Sequence, residues 1–125
     1  MSSYIVQRYI NNFKPKKNTK ILILGYSYKE NTSDPRNSLI KSIISEFQSN
    51  GYKICLCDPL VSKKYFMKLK NVEIVEYNKN NIVRYKNILL LVKHNIFSEM
   101  QSVIKKDNNV YDFFNFLNKD YTLKY

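Results

Sequence analysis

The chain has 125 residues, enough for one domain with a single core and too few for the two domains that most cofactor-dependent enzymes need. Its composition is 44% hydrophobic and 25% charged with only 2 glycines, which excludes collagen-like, linker-like and disordered chains. Lys and Arg number 21 against 10 Asp and Glu, so the net charge of +11 gives a surface that attracts anions.

The positive charge has two explanations. Nucleotides, sugar phosphates, nucleic acid and acidic lipid are all anions that such a surface would attract. The chain is also rich in Lys, Asn, Ile and Tyr, a set that an A/T-rich coding sequence favours without selection for any ligand. The lysines are scattered and no RRM, KH, helix-turn-helix or zinc-finger pattern occurs, so we expect no specific nucleic-acid partner.

No segment of the sequence has the length and apolar character of a membrane helix, which needs ~18 residues. The longest apolar run, Ile88 to Val92, has the length of a strand. The N-terminal residues have no apolar signal-peptide core. We therefore expect a cytoplasmic protein with no membrane partner.

The N-terminal residues have the periodicity of a short amphipathic helix. Between Ser2 and Phe13, apolar residues recur at the three- and four-residue spacing of one helix face: Tyr4, Ile5, Tyr9, Ile10 and Phe13. Pro15 and the surrounding lysines then predict a linker over residues 14–19. The apolar face of this helix would be free to pack against a second copy, so a homo-oligomer is one expected state.

Strand and helix patterns alternate from Lys20 onwards. Apolar runs predict strands at Lys20 to Leu24, Tyr52 to Cys57, Val72 to Val75, Asn87 to Val92 and Asn109 to Tyr111. Helical spacing predicts a helix with Leu39, Ile43, Ile44 and Phe47 inward, a helical turn over residues 80–85, and a helix over residues 96–104 with Ile96, Met100, Val103 and Ile104 inward. The predicted fold is α/β: a doubly wound, Rossmann-like parallel sheet preceded by a short helix.

The two cysteines, Cys55 and Cys57, lie one residue apart inside a predicted strand. They share a face, where a mutual disulfide would be strained, and no further thiol is present to complete a zinc site. We interpret both as reduced core residues and predict no metal site.

The loop after the first core strand, residues 25–38, is the best candidate for a binding site, since ligands bind at the carboxyl ends of parallel strands. Neither G-x-G-x-x-G nor G-x-x-x-x-G-K-[ST] occurs, which argues against self-sufficient dinucleotide binding and P-loop hydrolysis. The loop does contain Tyr28 and Lys29, followed by Asp34 and Arg36 near a helix start, where Asp can cap and the amides favour anions. An anion site and a solvated loop both remain open at this point.

The residues of this loop also form a motif. The positions are Gly25, Tyr28, Lys29, Thr32, Asp34, Arg36 and Ser38, which read G-x-x-[FY]-K-x-x-T-x-D-x-R-x-S. Cys57-Asp58-Pro59 with Val61, then Val92-x-His94 with Phe97, follow in order. Together they resemble the C-terminal, UDP-sugar-binding domain of the UDP-glucose/GDP-mannose dehydrogenase family. On this resemblance, residues 1–19 are the end of an inter-domain helix and its linker, and residues 20–125 are the nucleotide-sugar-binding domain.

The resemblance implies a function and roles for single residues. Enzymes of the family oxidise the C6 alcohol of a nucleotide sugar to a carboxylate with two NAD, through a cysteine nucleophile. Tyr28 and Lys29 match positions that contact the nucleotide sugar, Arg36 matches one that reaches the NAD, and Thr32 and Asp34 are expected to support the loop. His94, a single histidine at a strand end, is expected to be structural. The hexose stays open among UDP-glucose, UDP-N-acetylmannosamine and related sugars.

The sequence departs from the family pattern in two places. The family has Asp-x-Arg near the last strand, whereas here Asp112 is followed by Phe113 and Phe114, so one anion contact is missing. The NAD domain and the segment with the nucleophilic cysteine have no counterpart. We therefore expect no catalytic residue, NAD held mainly by a missing domain and not tightly by this chain, and no activity of the chain alone. The alternative is a stand-alone basic interaction or dimerisation module.

Overall fold

A computed structural model describes residues 1–125. The α-helices are α1 (Ser2–Phe13), α2 (Ser38–Ser49) and α3 (Lys79–Ile82). The strands are β1 (Lys20–Leu24), β2 (Lys53–Cys57), β3 (Val72–Ile74), β4 (Asn87–Leu90) and β5 (Asn109–Asp112), and two 3-10 helices cover Lys63–Tyr65 and Asn95–Ser102. None of the helices is both long enough and apolar enough to span a bilayer.

The five strands form one parallel sheet in the order β3-β2-β1-β4-β5. The chain moves outward from β1 through β2 to β3 and then returns to the other side of β1, where it adds β4 and β5. This reversal confirms the doubly wound topology and opens a crevice at the carboxyl ends of β1 and β4.

Both faces of the sheet are buried, because successive strand residues point to opposite sides. Ile21 and Ile23 of β1 belong to a cluster of 18 buried residues that includes residues of α1 and α2. Leu22 and Leu24 belong to a second cluster of 12 buried residues, beneath Phe97 and Met100. The continuous apolar runs of the sequence are therefore needed to fill two cores.

Helix α1 packs against α2 and the sheet, so its apolar face is covered within the chain. Ile5, Val6 and Tyr9 are fully buried, while Tyr4, which the periodicity placed on the same face, is 52% exposed. The Tyr9 hydroxyl donates to the carbonyl of Asn109 at 2.6 Å, and burial raises the pKa of Tyr9. The centre of this face is thus occupied within the chain, while Tyr4 stays exposed and Ile10 and Phe13 are half-buried.

The segment after β4 differs most from its predicted structure. Residues 95–102 form a 3-10 helix rather than an α-helix, with Phe97 and Met100 fully buried. Ile96, expected to point inward, is 42% exposed. A 3-10 helix has three residues per turn, so residues 97 and 100 lie on one face. The sequence predicted an α-helix, in which residues 96 and 100 would share the buried face. Elsewhere α1 and β1 have the predicted bounds, and the ends of the other elements differ from the predicted ones by at most three residues.

The last residues of the chain cover the outer edge of the sheet beside β5. The N–H of Leu123 donates to Val110 O and the N–H of Asp112 donates to Leu123 O, both at 2.8 Å. The ring of Tyr125 packs on Phe113, with the centroids 4.5 Å apart. The edge strand is thereby partly paired, and the residues that follow β5 are held in place.

Gly25 directly follows β1 and has a backbone conformation that other residues rarely adopt, with φ +100°. Its N–H donates to Cys57 O at 2.9 Å. A Cβ at this position would lie 2.5 Å from Val92 Cβ and 2.9 Å from Val92 N. The backbone after β1 can therefore approach Val92 this closely only because residue 25 is a glycine.

We predict that Gly25→Ala lowers the free energy of unfolding by about 3 kcal/mol, because it adds a backbone clash to an unfavourable φ. Gly51→Ala is the matched control: φ is +90°, but its Cβ would meet only the flexible side chain of Lys17 at 3.2 Å. We expect a cost of about 1 kcal/mol for this control. Equal urea midpoints for the two variants would contradict the close approach to Val92.

Candidate functional site

A cavity of about 340 Å³ lies at the carboxyl edge of the sheet, at the crevice beside β1 and β4. The loop after β1 contributes Tyr28, Lys29 and Arg36, the chain after β4 contributes Lys93, and the chain after β5 contributes Phe114. The structure therefore brings together the three residues that the sequence predicted to bind ligand. The lining combines apolar surface with three cations, which suits a ligand that has both an aromatic part and negative charge.

The backbone around Lys29 is fixed by hydrogen bonds within its own loop. The Lys29 carbonyl accepts from Ser27 Oγ at 2.5 Å and from Thr32 Oγ1 at 3.0 Å. The N–H of Tyr28 donates to Asp34 O at 2.7 Å, which closes the loop on itself. Thr32 and Asp34 thus both contact the segment that contains Tyr28 and Lys29.

The side chains of Tyr28 and Lys29 are free to meet a ligand. Tyr28 is 59% exposed although it lines the cavity. Lys29 is exposed and forms no ion pair with any carboxylate of the chain. A fixed backbone that presents a free ammonium reduces the ordering cost of binding an anion.

Arg36 is held by Asp34 rather than by the protein core. Its Nε lies 3.0 Å from Asp34 Oδ1, and its Nη2 lies 2.8 Å from Asp34 Oδ2, in a forked arrangement. The hydrogen bonds from Arg36 lower the pKa of Asp34 to about 2. The Arg36 side chain is 83% exposed, so water screens this pair and the remaining donors of Arg36 stay available at the cavity.

The cap of helix α2 is Asn37, not Asp34. Asn37 Oδ1 accepts from the N–H of Ile40 at 3.2 Å, and its Nδ2 donates to Ser27 O at 3.0 Å. The expectation that Asp34 caps the helix start is wrong, because Asp34 lies four residues before the first helical residue and is engaged by Arg36. Asn37 takes this place, and it also attaches the helix to the β1 loop.

His94 is fully buried and joins the loops that follow β1, β2 and β4. Its Nδ1 accepts from the N–H of Asn31 at 2.8 Å, which assigns the proton to Nε2. Nε2 lies 2.9 Å from Asp58 Oδ2, to which it donates, and 3.2 Å from Ser27 Oγ. The imidazole thus connects these loops inside the protein and does not line the cavity.

Asp58 is the buried acceptor on which this network converges. Its Oδ2 accepts from the N–H groups of Tyr26 at 2.7 Å and Ser27 at 2.9 Å, and its Oδ1 accepts from the N–H of Leu60 at 2.9 Å. Burial acts to raise the pKa of Asp58, but the hydrogen bonds from His94, Tyr26 and Leu60 outweigh burial and leave this pKa below the ordinary value. A charged carboxylate therefore holds the β1 loop against the β2 loop.

The sequence predicts no role for Asn31 or Lys93, and it identifies Asp58 only as part of a motif. Asn31 has φ 58° and accepts from the N–H of Asn95 at 2.8 Å, which adds a second bond between the β1 and β4 loops. A signal was present, because asparagine is among the few residues that readily adopt left-handed backbone geometry. Lys93 directly precedes His94 of the motif, but its position in the sequence does not indicate that it lines the cavity.

The cysteines lie away from the cavity and inside the second core cluster. Both thiols are free and buried. Burial raises the pKa of each thiol, that of Cys57 to about 12 with a further contribution from Asp58. Neither thiol is therefore set up to form a thiolate. No three His, Cys, Asp or Glu side chains are grouped so that they could hold a metal ion.

We predict that Asp58→Asn lowers the free energy of unfolding at neutral pH by about 3 kcal/mol, because it removes the charge that its buried donors stabilise. The folded pKa of Asp58 is below the unfolded value, so its contribution is complete above the unfolded pKa. This contribution to stability begins to fall below about pH 5. It falls further as the pH passes the unfolded pKa near 4 and approaches the lower folded pKa. Urea unfolding between pH 3 and 7 should show this loss in the wild type and less of it in Asp58→Asn.

The control is Asp34→Asn, in which an exposed ion pair is lost instead. We expect its unfolding midpoint at neutral pH to stay near that of the wild type. If Asp58→Asn were as stable as this control, the buried carboxylate would not be holding the loops together.

Comparison with known proteins connects this geometry with a family. Residues 22–119 match the family model described as "UDP-glucose/GDP-mannose dehydrogenase family, UDP binding domain". The chain is 27% identical over 106 residues to a UDP-N-acetyl-D-glucosamine 6-dehydrogenase of Salmonella typhi. This alignment covers 82% of the chain and 24% of the relative, so the chain spans about a quarter of the length of the curated relative that it matches.

Two solved structures have the same fold. A UDP-glucose dehydrogenase from the archaeon Pyrobaculum islandicum superposes with a TM-score of 0.77 at 17% identity, over 99% of this chain and 28% of that one. A GDP-mannose dehydrogenase from Pseudomonas aeruginosa superposes with a TM-score of 0.72 at 15% identity, over 98% of this chain and 31% of that one. At such identities the two structures inform on the fold alone. The family-model match covers most of the chain, and the chain therefore belongs to the UDP-glucose/GDP-mannose dehydrogenase family, in which it corresponds to the UDP binding domain.

Proposed function

We propose that the cavity beside β1 and β4 binds the nucleotide part of a UDP-sugar, and that the chain serves an NAD-dependent UDP-sugar 6-dehydrogenase as its C-terminal substrate-binding domain. In that enzyme the C6 alcohol of a UDP-hexose is oxidised to a uronic acid. The observation that carries the proposal is the meeting of Tyr28, Lys29 and Arg36 in one cavity at the topological switch point.

The charges at the cavity suit a diphosphate. Lys29 has no acidic partner, and its ammonium acts as a mobile point charge that can follow two phosphate groups. Arg36 can make a forked contact with an anion while Asp34 holds it in place. Tyr28 supplies an exposed aromatic face and a hydroxyl to the nucleoside or the sugar. Thr32 and Asp34 support the loop that presents these groups.

NAD would meet this chain only at its edge. A dinucleotide fold has a tight glycine-rich turn between its first strand and helix, whereas here the connection runs over residues 25–37 with a single glycine that packs on Val92. The residues of the chain do not fit a complete NAD site, and Arg36 is the one we assign to the cofactor side. Hydride transfer belongs to a part of the enzyme outside these residues.

The alternative function, a stand-alone basic interaction or dimerisation module, has less support. Ile5 and Tyr9, at the centre of the α1 face that prompted the expectation of dimerisation, are buried within the chain. The net charge of +11 would give salt-dependent contact with any polyanion, so such contact would not identify a function.

We predict that UDP binds the 125-residue chain with a dissociation constant near 1 mM, roughly −4 kcal/mol, because the cavity offers few contacts. Amide NMR shifts at physiological salt should saturate and centre on residues 28–36. Lys29→Ala should weaken the affinity about fivefold through the loss of one phosphate contact. Lys106→Ala is the matched control, since it removes an equal charge from an exposed position outside the cavity.

The outcomes of this titration separate the two functions. Equal weakening by Lys29→Ala and Lys106→Ala would indicate general attraction to charge and would refute the site. Shifts produced only by a single-stranded oligonucleotide, spread over many lysines, would favour the interaction module.

We also predict that the chain alone forms no NADH from NAD and UDP-glucose or UDP-N-acetylhexosamines, because both of its thiols are buried with raised pKa values. Absorbance of NADH is the measurement, with a full-length UDP-sugar dehydrogenase as the positive control. NADH formation that disappears in Cys57→Ala would show that this chain contains its own nucleophile.

A further inference from the structure

Lys93 is the cation of the cavity that no sequence motif identified. It follows the end of β4 and lines the same space as Lys29 and Arg36. Like Lys29, it forms no ion pair with a carboxylate. Its ammonium contacts an aromatic ring instead, because its Nζ lies 5.2 Å from the centroid of the Phe114 ring.

The backbone on both sides of Lys93 is fixed. On one side, Val92 packs against Gly25 at a distance that leaves no room for a Cβ on the glycine. On the other side, His94 is fully buried and bonded to Asn31 and Asp58. Lys93 therefore starts from a rigid position at the rim, and its ammonium can reach only the nearby part of the cavity.

Phe114 is positioned just as firmly, by the turn that follows β5. The fully buried carboxylate of Asp112 accepts from the N–H groups of Phe116 at 2.9 Å and Leu117 at 2.6 Å. Phe113 packs edge-on against Phe114, with the centroids 4.9 Å apart. The ring of Phe114 is 43% exposed and lines the cavity, so one of its faces is available to the ammonium of Lys93.

We propose that Lys93, positioned by the ring of Phe114, is a phosphate-binding residue of this cavity and holds the diphosphate of the nucleotide sugar together with Lys29. This inference rests on the proposed function and adds to it a second cation, supplied by a different loop. Two unpaired ammonium groups from separate loops can neutralise two phosphate groups, which a single lysine cannot do. The aromatic ring keeps Lys93 beside the cavity and leaves its positive charge in place. A carboxylate partner would neutralise that charge.

The experiment compares UDP with uridine by amide NMR titration of the 125-residue chain. Lys93→Met keeps the length and apolar character of the side chain but removes its charge, and it should weaken UDP binding about three- to fivefold. Lys93→Arg should stay within about twofold of the wild type, because the charge is kept. Uridine shifts should be the same in all variants, since uridine has no phosphate.

A double variant tests whether a cation elsewhere on this wall of the cavity can replace the charge of Lys93. Lys93→Met combined with Phe114→Arg returns a cation to the same wall of the cavity, and UDP affinity should recover, whereas Lys93→Met combined with Phe114→Leu should stay weak. Lys93→Gln is a second neutral variant in case Lys93→Met fails to fold, and a dispersed amide spectrum verifies the fold of each.

The possible results separate this inference from the proposed function. If the wild type binds UDP and Lys29→Ala weakens it, but Lys93→Met and Lys93→Gln bind as the wild type does, the role of Lys93 is refuted and the proposed function stands. If UDP produces no saturable shifts in the wild type, both are refuted. Loss of UDP affinity in Lys93→Met and Lys93→Gln, with Lys93→Arg close to the wild type, supports both.

Discussion

The buried carboxylate of Asp58 is the interaction on which the candidate site depends. It accepts hydrogen bonds from the loop after β1, from its own turn and from His94, which in turn accepts from Asn31. Three loops that are far apart in sequence are thereby joined at one edge of the sheet. A buried charge is costly unless its hydrogen bonds are complete, so the arrangement is stable only when all three loops are in place together.

This network explains how a long loop with a single glycine can form a defined cavity. A fixed anchor at its base and internal hydrogen bonds to Lys29 replace the tight glycine-rich turn of dinucleotide-binding folds. Gly25 is needed at the start of the loop, where the backbones after β1 and β4 nearly touch. The rigid part of the site is thus backbone, and the parts free to adapt to a ligand are the ends of Tyr28, Lys29 and Lys93.

The sequence was informative wherever a local pattern decided the structure. The runs Lys20 to Leu24 and Asn87 to Val92 predict strands buried on both faces, and their alternation with helical patterns predicts the fold and the edge where the candidate site lies. The helix predicted over residues 96–104 is instead a 3-10 helix over residues 95–102, because short apolar repeats at three- and four-residue spacing overlap. The pairing of Lys93 with Phe114 was not predictable from either residue, since it exists only after β4 and β5 become neighbours in the sheet.

The carboxylates of Asp34, Asp58 and Asp112 have partners of their own, so they leave the lysines of the cavity without ion-pair partners. Asp58 and Asp112 are buried and saturated by backbone N–H groups, and Asp34 is occupied by Arg36. These three aspartates are thus already paired or hydrogen-bonded, and none of them forms an ion pair with Lys29 or Lys93. Glu30 is the acidic residue on the cavity wall. The many lysines elsewhere face water and are screened within about 8 Å at physiological salt, so a ligand in the cavity senses mainly these nearby groups. The diphosphate binding that we propose would therefore depend on where the acidic residues are engaged, and not on the excess of basic ones.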